Sequence, residues 1–354
     1  MKKTFLYLQH QKSNAKFTEF NGWEMPIRYS SIIEEHNAVR NEVGIFDISH
    51  MGTFLITGKS AENFLNYVTV GNIFGLAENN ARYSMFLNEN GGVKDDIIVY
   101  KLVDSFMLVV NAGNLDKDWQ WLNKHKPLDV EIRNLSYEIS LLALQGPKAL
   151  QIITQITATP VQDMRYFSIS DIKFKGINAS FCKIARTGYT GEDGFEIFIS
   201  KAASEKLWVK LIELSARPCG LGCRDTLRLE AAMPLHGHEI DETINPFETG
   251  FQKTVKLDSI FIGKEKLVSI KDKPLRKLCA FKCLDAIARN SDEIFENNQK
   301  VGFITSGTFS PTLKQPICLG LIGANASVNK LEVKVRGTSR KLEFSTKPFY
   351  KRLK

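Results

Sequence analysis

The chain reads as an α+β protein with a separate β domain at its C-terminal end. Three observations carry that expectation. Helical and strand-like periodicities are intermixed without the regular strand–helix–strand alternation of a doubly wound sheet. A charged, proline-punctuated stretch, Ser269-Ile-Lys-Asp-Lys-Pro-Leu-Arg276, interrupts the chain. Beyond it only strand-like runs follow, at 278–282, around Ile304, at 317–322 and at 331–335. Spacing alone therefore divides the chain into two domains, 1–270 and 271–354.

Each element has its own signal. Ile32, Ile33, His36 and Val39 recur near helical spacing within 31–43, and Ala61, Phe64 and Leu65 do so within 59–67. A helix over 115–124 carries Trp119 and Leu122, with Asp116 and Asp118 in its first turn, where negative charge complements the helix dipole. An amphipathic run over 202–214 predicts a fourth helix. Strands are expected at 97–102, 106–110 and 139–144, and on both sides of the glycine-rich segment 186–194.

A length of 354 residues is enough for two to three domains with their own cores. Hydrophobic content of 43% and charged content of 24% are those of a soluble globular protein. No apolar run approaches the roughly 20 residues that span a bilayer. The basic start Met1-Lys-Lys is followed by a short apolar patch that His10 and Gln11 interrupt, which argues against a secretory signal. The expected location is cytoplasmic, with no membrane partner.

The net charge of +8 is spread rather than clustered, and no nucleic-acid module signature is present, so no nucleic-acid partner is expected. A broad positive field suits an acidic protein or a polyanionic small molecule. Cys219/Cys223 and Cys279/Cys283 are C-x3-C pairs without zinc-ligand context; with Cys182 and Cys318 they read as reduced, mostly buried thiols. His236-Gly-His238-Glu239 lacks a third ligand, so no metal site is expected.

The chemistry-bearing residues cluster in three places. Arg186-Thr-Gly-Tyr-Thr-Gly-Glu-Asp-Gly-Phe-Glu196 crowds charge and an aromatic onto one hairpin, with Glu196 on the same strand face as Phe198. Asp95 and Asp96 open an apolar strand; Asp96 shares a face with Ile98 and Tyr100, Asp95 with Ile97 and Val99. A carboxylate on a buried face is costly unless paired or employed, and one of the two is expected to cap the Gly91-Gly92 turn. Arg224 begins a helix after Pro218-Cys-Gly-Leu-Gly222, with Arg228 one turn later, expected to pair with Asp225 or Glu230.

These strings, together with Phe20-Asn-Gly-Trp-Glu-Met-Pro26, Gly44-Ile-Phe-Asp-Ile-Ser-His-Met-Gly52, Gly91-Gly-Val-Lys-Asp-Asp-Ile-Ile-Val-Tyr100, Val110-Asn-Ala-Gly-Asn114, Leu144-Gln-Gly-Pro147, Arg224-Asp-Thr-Leu-Arg-Leu-Glu230 and Thr305-Ser-Gly-Thr-Phe-Ser-Pro311, resemble the motifs of the aminomethyltransferases, the T proteins of the glycine cleavage system, in their order. The resemblance runs from about Thr4 to Tyr350. It implies a cloverleaf of three lobes around a central folate cavity, two of them discontinuous within 1–270 and the third a β-barrel in 271–354. It implies tetrahydrofolate as one-carbon acceptor and the lipoylated H protein as partner, in a bacterial-type cytoplasmic enzyme.

Residue by residue, the resemblance makes Asp96 the catalytic carboxylate, with Tyr100 on the same wall. Glu196 would anchor the pterin, whose 2-amino group and N3 present two parallel N–H donors to one carboxylate. Arg224 matches a folate-contacting arginine, and Tyr350 a tyrosine that closes the cavity over folate. Tyr83, Met51, Asn111 and Tyr189 match wall positions, and each also fits an ordinary core. Folate-dependent demethylases of small sulfonium or methylated-amine donors share the scaffold and form the alternative reading. A folate-binding branch that supports iron–sulfur assembly carries a cysteine-containing KGCYxGQE motif, where this chain has Arg186-Thr-Gly-Tyr-Thr-Gly-Glu192. Departures from the pattern at Ser13-Asn-Ala15, Thr69-Val-Gly-Asn72 and Gln252-Lys-Thr254 touch none of the assigned residues.

Overall fold

A computed structural model describes residues 1–352. The chain forms two compact units, one of Met1–Phe64, Phe74–Tyr83 and Ile97–Asp225, the other of Leu65–Ile73, Ser84–Asp96 and everything from Thr226 onward. The fold is α+β, as expected. Among the described residues no helix is long and apolar enough to cross a membrane.

The first unit is built on a six-stranded sheet in the order Ile169–Asp171, Cys182–Ala185, Gly194–Ser200, Ile139–Gln145, Gly44–Asp47, Arg217–Pro218. All neighbours are antiparallel except the last pair, which is parallel. Helices Ala149–Ile156 and Lys201–Glu213 contribute Ile152, Ile153, Ile156, Leu207, Trp208 and Leu211 to the core that holds Leu142, Leu144, Phe195, Ile197 and Ile199. The strand Gly194–Ser200 is buried on both faces except at Glu196, rather than half-buried as its alternation predicts. Helix Ala149–Ile156 has no counterpart in the sequence expectation. Its Ala149, Ile152, Ile153 and Ile156 keep helical spacing, but three isoleucines in eight residues also suit a strand.

A hairpin joins Lys16–Phe20 to Trp23–Arg28 through Asn21 and Gly22, at φ of 49° and 81°. Two successive left-handed residues give the turn whose twist matches antiparallel strands, which is why Asn-Gly stands there. Helix Ile32–Asn41 starts where Ser31 accepts the Glu34 amide at 3.2 Å, with Glu34 and Glu35 in the first turn and Arg40 in the last. Phe106–Val110 pairs with the strand Val93–Lys101 over Ile98–Lys101, and on its other side with Gly52–Thr57. Along Val93–Lys101 burial alternates as the period of two requires: Val93, Asp95, Ile97 and Val99 are buried, and Lys94, Asp96 and Ile98 are half-exposed. The preceding turn is tied by Asn88, whose Oδ1 accepts the amides of Asn90 and Gly92 at 3.0 Å each.

The second unit carries a closed barrel of six strands, Arg276–Cys283, Gln315–Gly323, Gln299–Ser310, Glu293–Glu296, Leu331–Val335 and Thr338–Ser345, in that order round the barrel. Closure leaves no unpaired strand edge. Its interior holds Phe281, Cys283, Ile304, Cys318, Ile322, Val333 and Leu342. Two strands escape the sequence pattern, Glu293–Glu296 and Thr338–Ser345; the latter is mostly polar, with only Leu342 fully buried. All six cysteines are free thiols and five are buried, as expected.

Arg228, in the second unit, is buried with its guanidinium on Glu239 at 2.9 Å and on Ser306 Oγ at 2.7 Å. This adds to the expected helix neighbours a partner eleven residues away, which helical spacing does not reveal. This also explains the His-Gly-His-Glu string. Its Glu239 is the arginine's counter-ion, and His238 Nδ1 lies 2.9 Å from the Thr305 carbonyl. Glu230, also buried, accepts the Ser310 hydroxyl at 2.5 Å and the Thr312 amide and hydroxyl at 3.1 and 2.8 Å. Removing one partner of a buried ion pair leaves the other charge uncompensated. Glu239→Leu is therefore expected to lose about 3–5 kcal/mol of stability in urea unfolding. The Arg228→Met, Glu239→Leu double variant should recover most of it; equal losses in both would deny the pairing.

Candidate active site

The hairpin 186–196 spends most of its charge on its own shape. Arg186 grips both oxygens of Asp193, Nε to Oδ1 at 3.1 Å and Nη2 to Oδ2 at 2.6 Å, and gives Nη1 to the Met164 carbonyl at 2.7 Å. Glu192 is buried against Arg40 at 2.9 Å, and the same arginine nitrogen reaches the Thr190 carbonyl at 2.7 Å. The Gln145 amide donates to the Thr187 carbonyl at 3.1 Å, while its oxygen accepts the Thr190 hydroxyl at 3.0 Å. Gly188 sits against that glutamine: a Cβ there would lie 1.9 Å from Gln145 Oε1. These ties leave the Thr187 hydroxyl and the Glu196 carboxylate for other work.

Glu196 pairs across the hairpin with Ala185, next to the start of the loop. Its Oε2 accepts the Thr187 hydroxyl at 2.5 Å and the Tyr100 hydroxyl at 3.3 Å. Its Oε1 has no hydrogen-bond partner among the described residues, and the side chain is half-buried rather than sealed. Burial, and then the charge of Glu196, hold the Tyr100 hydroxyl well above its ordinary range, so it stays a donor. The Tyr100 ring meets Phe198 edge-on at 5.5 Å, which confirms that Glu196 and Phe198 share a strand face.

Helix Leu221–Glu230 places Arg224 over the Tyr189 ring, 4.6 Å from its centroid. Burial lowers the guanidinium from its ordinary value, and Tyr189 and Glu196 counter that. His50 lies within the field of this cation. It is buried, its ring meets Phe20 edge-on at 5.6 Å, and its Nδ1 has no hydrogen-bond partner among the described residues. Burial, and then Arg224, push its pKa down to about 3, so it is neutral in the folded protein.

Of the residues the sequence singles out, Tyr100 is joined to Glu196 and Tyr189 to Arg224. Met51 is half-buried in the turn after Ile48, whose carbonyl accepts its amide at 3.0 Å. Asn111 follows the strand Phe106–Val110, and Tyr83 lies in Asn80–Leu87; both are half-buried. Asp96 shares its strand face with Tyr100, and it is Asp95, not Asp96, that is fully buried. Tyr350 is half-buried and donates its amide to the Glu230 carbonyl at 2.9 Å. Thr187 and His50 were not singled out. Thr187 is visible from sequence only once it is known to face Glu196, and His50 only as the histidine of the Ser49-His-Met51 string.

One further cluster, Glu35, Cys219 and Cys223, brings possible metal-ligating atoms within 4.8 Å of one another. The carboxylate is already engaged, accepting the amides of Tyr29, Ser30 and Gly220 at 2.6, 3.0 and 2.8 Å. Burial raises both Glu35 and the Cys223 thiol, which opposes the deprotonated forms that ligation needs, and the three amides partly offset this at Glu35. Through Glu35 the start of helix Ile32–Asn41 is tied to the backbone at residues 29, 30 and 220.

The His50 shift has a measurable consequence. Its folded pKa lies below the unfolded value of 6.5, so the unfolded chain binds a proton that the folded chain refuses between pH 6.5 and about 3. Stability from this group is complete above pH 6.5 and is lost as the pH falls. Going from pH 7 to pH 5, the wild-type protein should lose about 2 kcal/mol more than His50→Gln in urea unfolding. Equal losses would mean that the imidazole takes its proton in the folded state.

Comparison with known proteins agrees with this architecture. The GCVT N-terminal domain matches residues 6–259, and the glycine cleavage T-protein C-terminal barrel domain matches residues 276–351. An aminomethyltransferase of Alkaliphilus metalliredigens is 44% identical over 99% of this chain and 98% of its own length. One from a Geobacillus species is 42% identical over the full length of both. The crystal structure of glycine cleavage system aminomethyltransferase T from Bartonella henselae superposes with a TM-score of 0.92 at 32% identity, covering 99% of this chain and 98% of that one. With family models over most of its length and relatives that match it end to end, the chain belongs to the glycine cleavage T-protein family of aminomethyltransferases.

Proposed function

We propose that the chain transfers the one-carbon unit of an S-aminomethyl-dihydrolipoyl arm, carried by an H protein, to tetrahydrofolate. The products are 5,10-methylenetetrahydrofolate, ammonia and the dihydrolipoyl H protein. The observation that supports the acceptor best is the Glu196 carboxylate, held on one oxygen by two hydroxyls with the other unengaged among the described residues. A fixed carboxylate of this kind accepts the parallel N–H groups of a pterin edge. Arg224, a cation partly stripped of water in the same unit, suits the carboxylates of the folate tail. The net charge of +8 suits an acidic carrier protein.

The chemistry is mostly positioning. The carbon between sulfur and nitrogen becomes iminium-like as the C–S bond breaks and the thiolate leaves on the lipoyl arm. The folate nitrogens N5 and N10, held against it, form the two new C–N bonds, and the amine departs as ammonia. Asp96, on the half-exposed face of its strand, is the carboxylate that stabilises the positive charge and moves the proton lost near N5 and N10. Tyr350, Tyr83, Met51 and Asn111 belong to this reading as folate-wall residues.

Ammonia release from aminomethyl-lipoyl H protein, measured with and without tetrahydrofolate, tests the reaction. Release that requires both substrates is expected; folate binding without release would contradict the proposed donor. Asp96→Asn should lower turnover by about 10²- to 10⁴-fold while tetrahydrofolate still binds. Unchanged turnover in that variant would remove Asp96 from the mechanism.

A further inference from the structure

We infer that Thr187 is the positioning residue for the acceptor site: its hydroxyl fixes the plane of the Glu196 carboxylate and so sets the affinity for the ligand edge that Glu196 receives. The inference rests on the reading of Glu196 as the pterin anchor. Three observations carry it. The Thr187 hydroxyl has one proton, and it lies on Glu196 Oε2 at 2.5 Å, the length of a strong charge-assisted bond. Thr187 is itself buried, at 3% exposure, so the bond is made on the protein side of a half-buried carboxylate. Its backbone is fixed independently, because the Thr187 carbonyl accepts from Gln145, which is tied in turn to Thr190.

Tyr100 is a weaker second hold. Its hydroxyl is 3.3 Å from Glu196 Oε2 and 3.4 Å from Thr187 Oγ1, a bridging position between the two. Without Thr187 the carboxylate keeps only this long bond, and its torsions are free to turn Oε1 away from a ligand. A two-pronged ligand edge needs both oxygens in one plane, so loss of the plane is felt in binding. Thr187 touches Glu196 rather than the reacting carbon, so the rate at saturation is unaffected.

The test is tetrahydrofolate affinity and steady-state kinetics of Thr187→Val, Thr187→Ser and Glu196→Gln beside the wild-type enzyme, with aminomethyl-lipoyl H protein as donor. Valine keeps the shape and the backbone carbonyl and removes only the donor. Thr187→Val is expected to weaken tetrahydrofolate binding about ten- to a hundredfold and raise its KM in step, with kcat retained. Thr187→Ser, which keeps the hydroxyl, should restore wild-type binding; a merely structural threonine would give no such rescue. If Glu196→Gln binds weakly and Thr187→Val binds normally, Thr187 has no positioning role. If Glu196→Gln also binds normally, Glu196 is not the anchor and the inference falls with that reading. Thr187→Ala takes the place of the valine variant if the latter does not melt cooperatively, and the same outcomes decide.

Discussion

A carboxylate that is to receive a ligand has to be oriented and incompletely satisfied, and most of the local structure around Glu196 serves that requirement. The hydroxyl of Thr187 supplies the orientation at 2.5 Å. That contact requires residue 187 to return toward residue 196 at the neck of the hairpin, where Ala185 and Glu196 are paired. The turn between them is held from outside by Arg40, from within by Arg186 and Asp193, and from the neighbouring strand by Gln145. The charge-assisted ones among them, from Arg40 and Arg186, contribute about 1.5–3 kcal/mol each. Together they confine a loop that would otherwise be among the more mobile parts of a protein.

The second requirement is control of positive charge. Arg224 stands over Tyr189 with much of its hydration removed, and the aromatic face and the Glu196 charge are what make that tolerable. Protonating His50 would add a second cation in the same field. Burial and the guanidinium together keep it neutral at all moderate pH. The guanidinium is thus moderated by Tyr189 and Glu196, and the imidazole in its field is held neutral.

What could be read from the sequence was local, and what could not was long-range. Helix and strand periods predicted Ile32–Asn41, Leu115–His125, Phe106–Val110 and the strands on either side of the signature loop. Helix Ala149–Ile156 was hidden by its isoleucines, and strand Thr338–Ser345 by its polar outward face. The period of two correctly put Asp96 and Tyr100 on one face and Asp95 on the other. No spacing rule, however, pairs residue 100 with 196, 145 with 187 or 40 with 192; those contacts exist only once the sheet order is set. The same gap hides one partner of Arg228, Glu239, which lies in the loop that follows the helix. His50 belongs to this long-range class, through Arg224, whereas Thr187 is hidden because the string 186–196 does not show which of its side chains meet across the hairpin.

The account is tested most directly by a crystal structure of the protein soaked with tetrahydrofolate. It predicts the pterin edge on Glu196, with its N–H groups donating to the carboxylate while the Thr187 bond to Oε2 persists, and the glutamate tail toward Arg224. A pterin bound away from Glu196, or a Glu196 side chain that swings off Thr187 when the ligand enters, would contradict it.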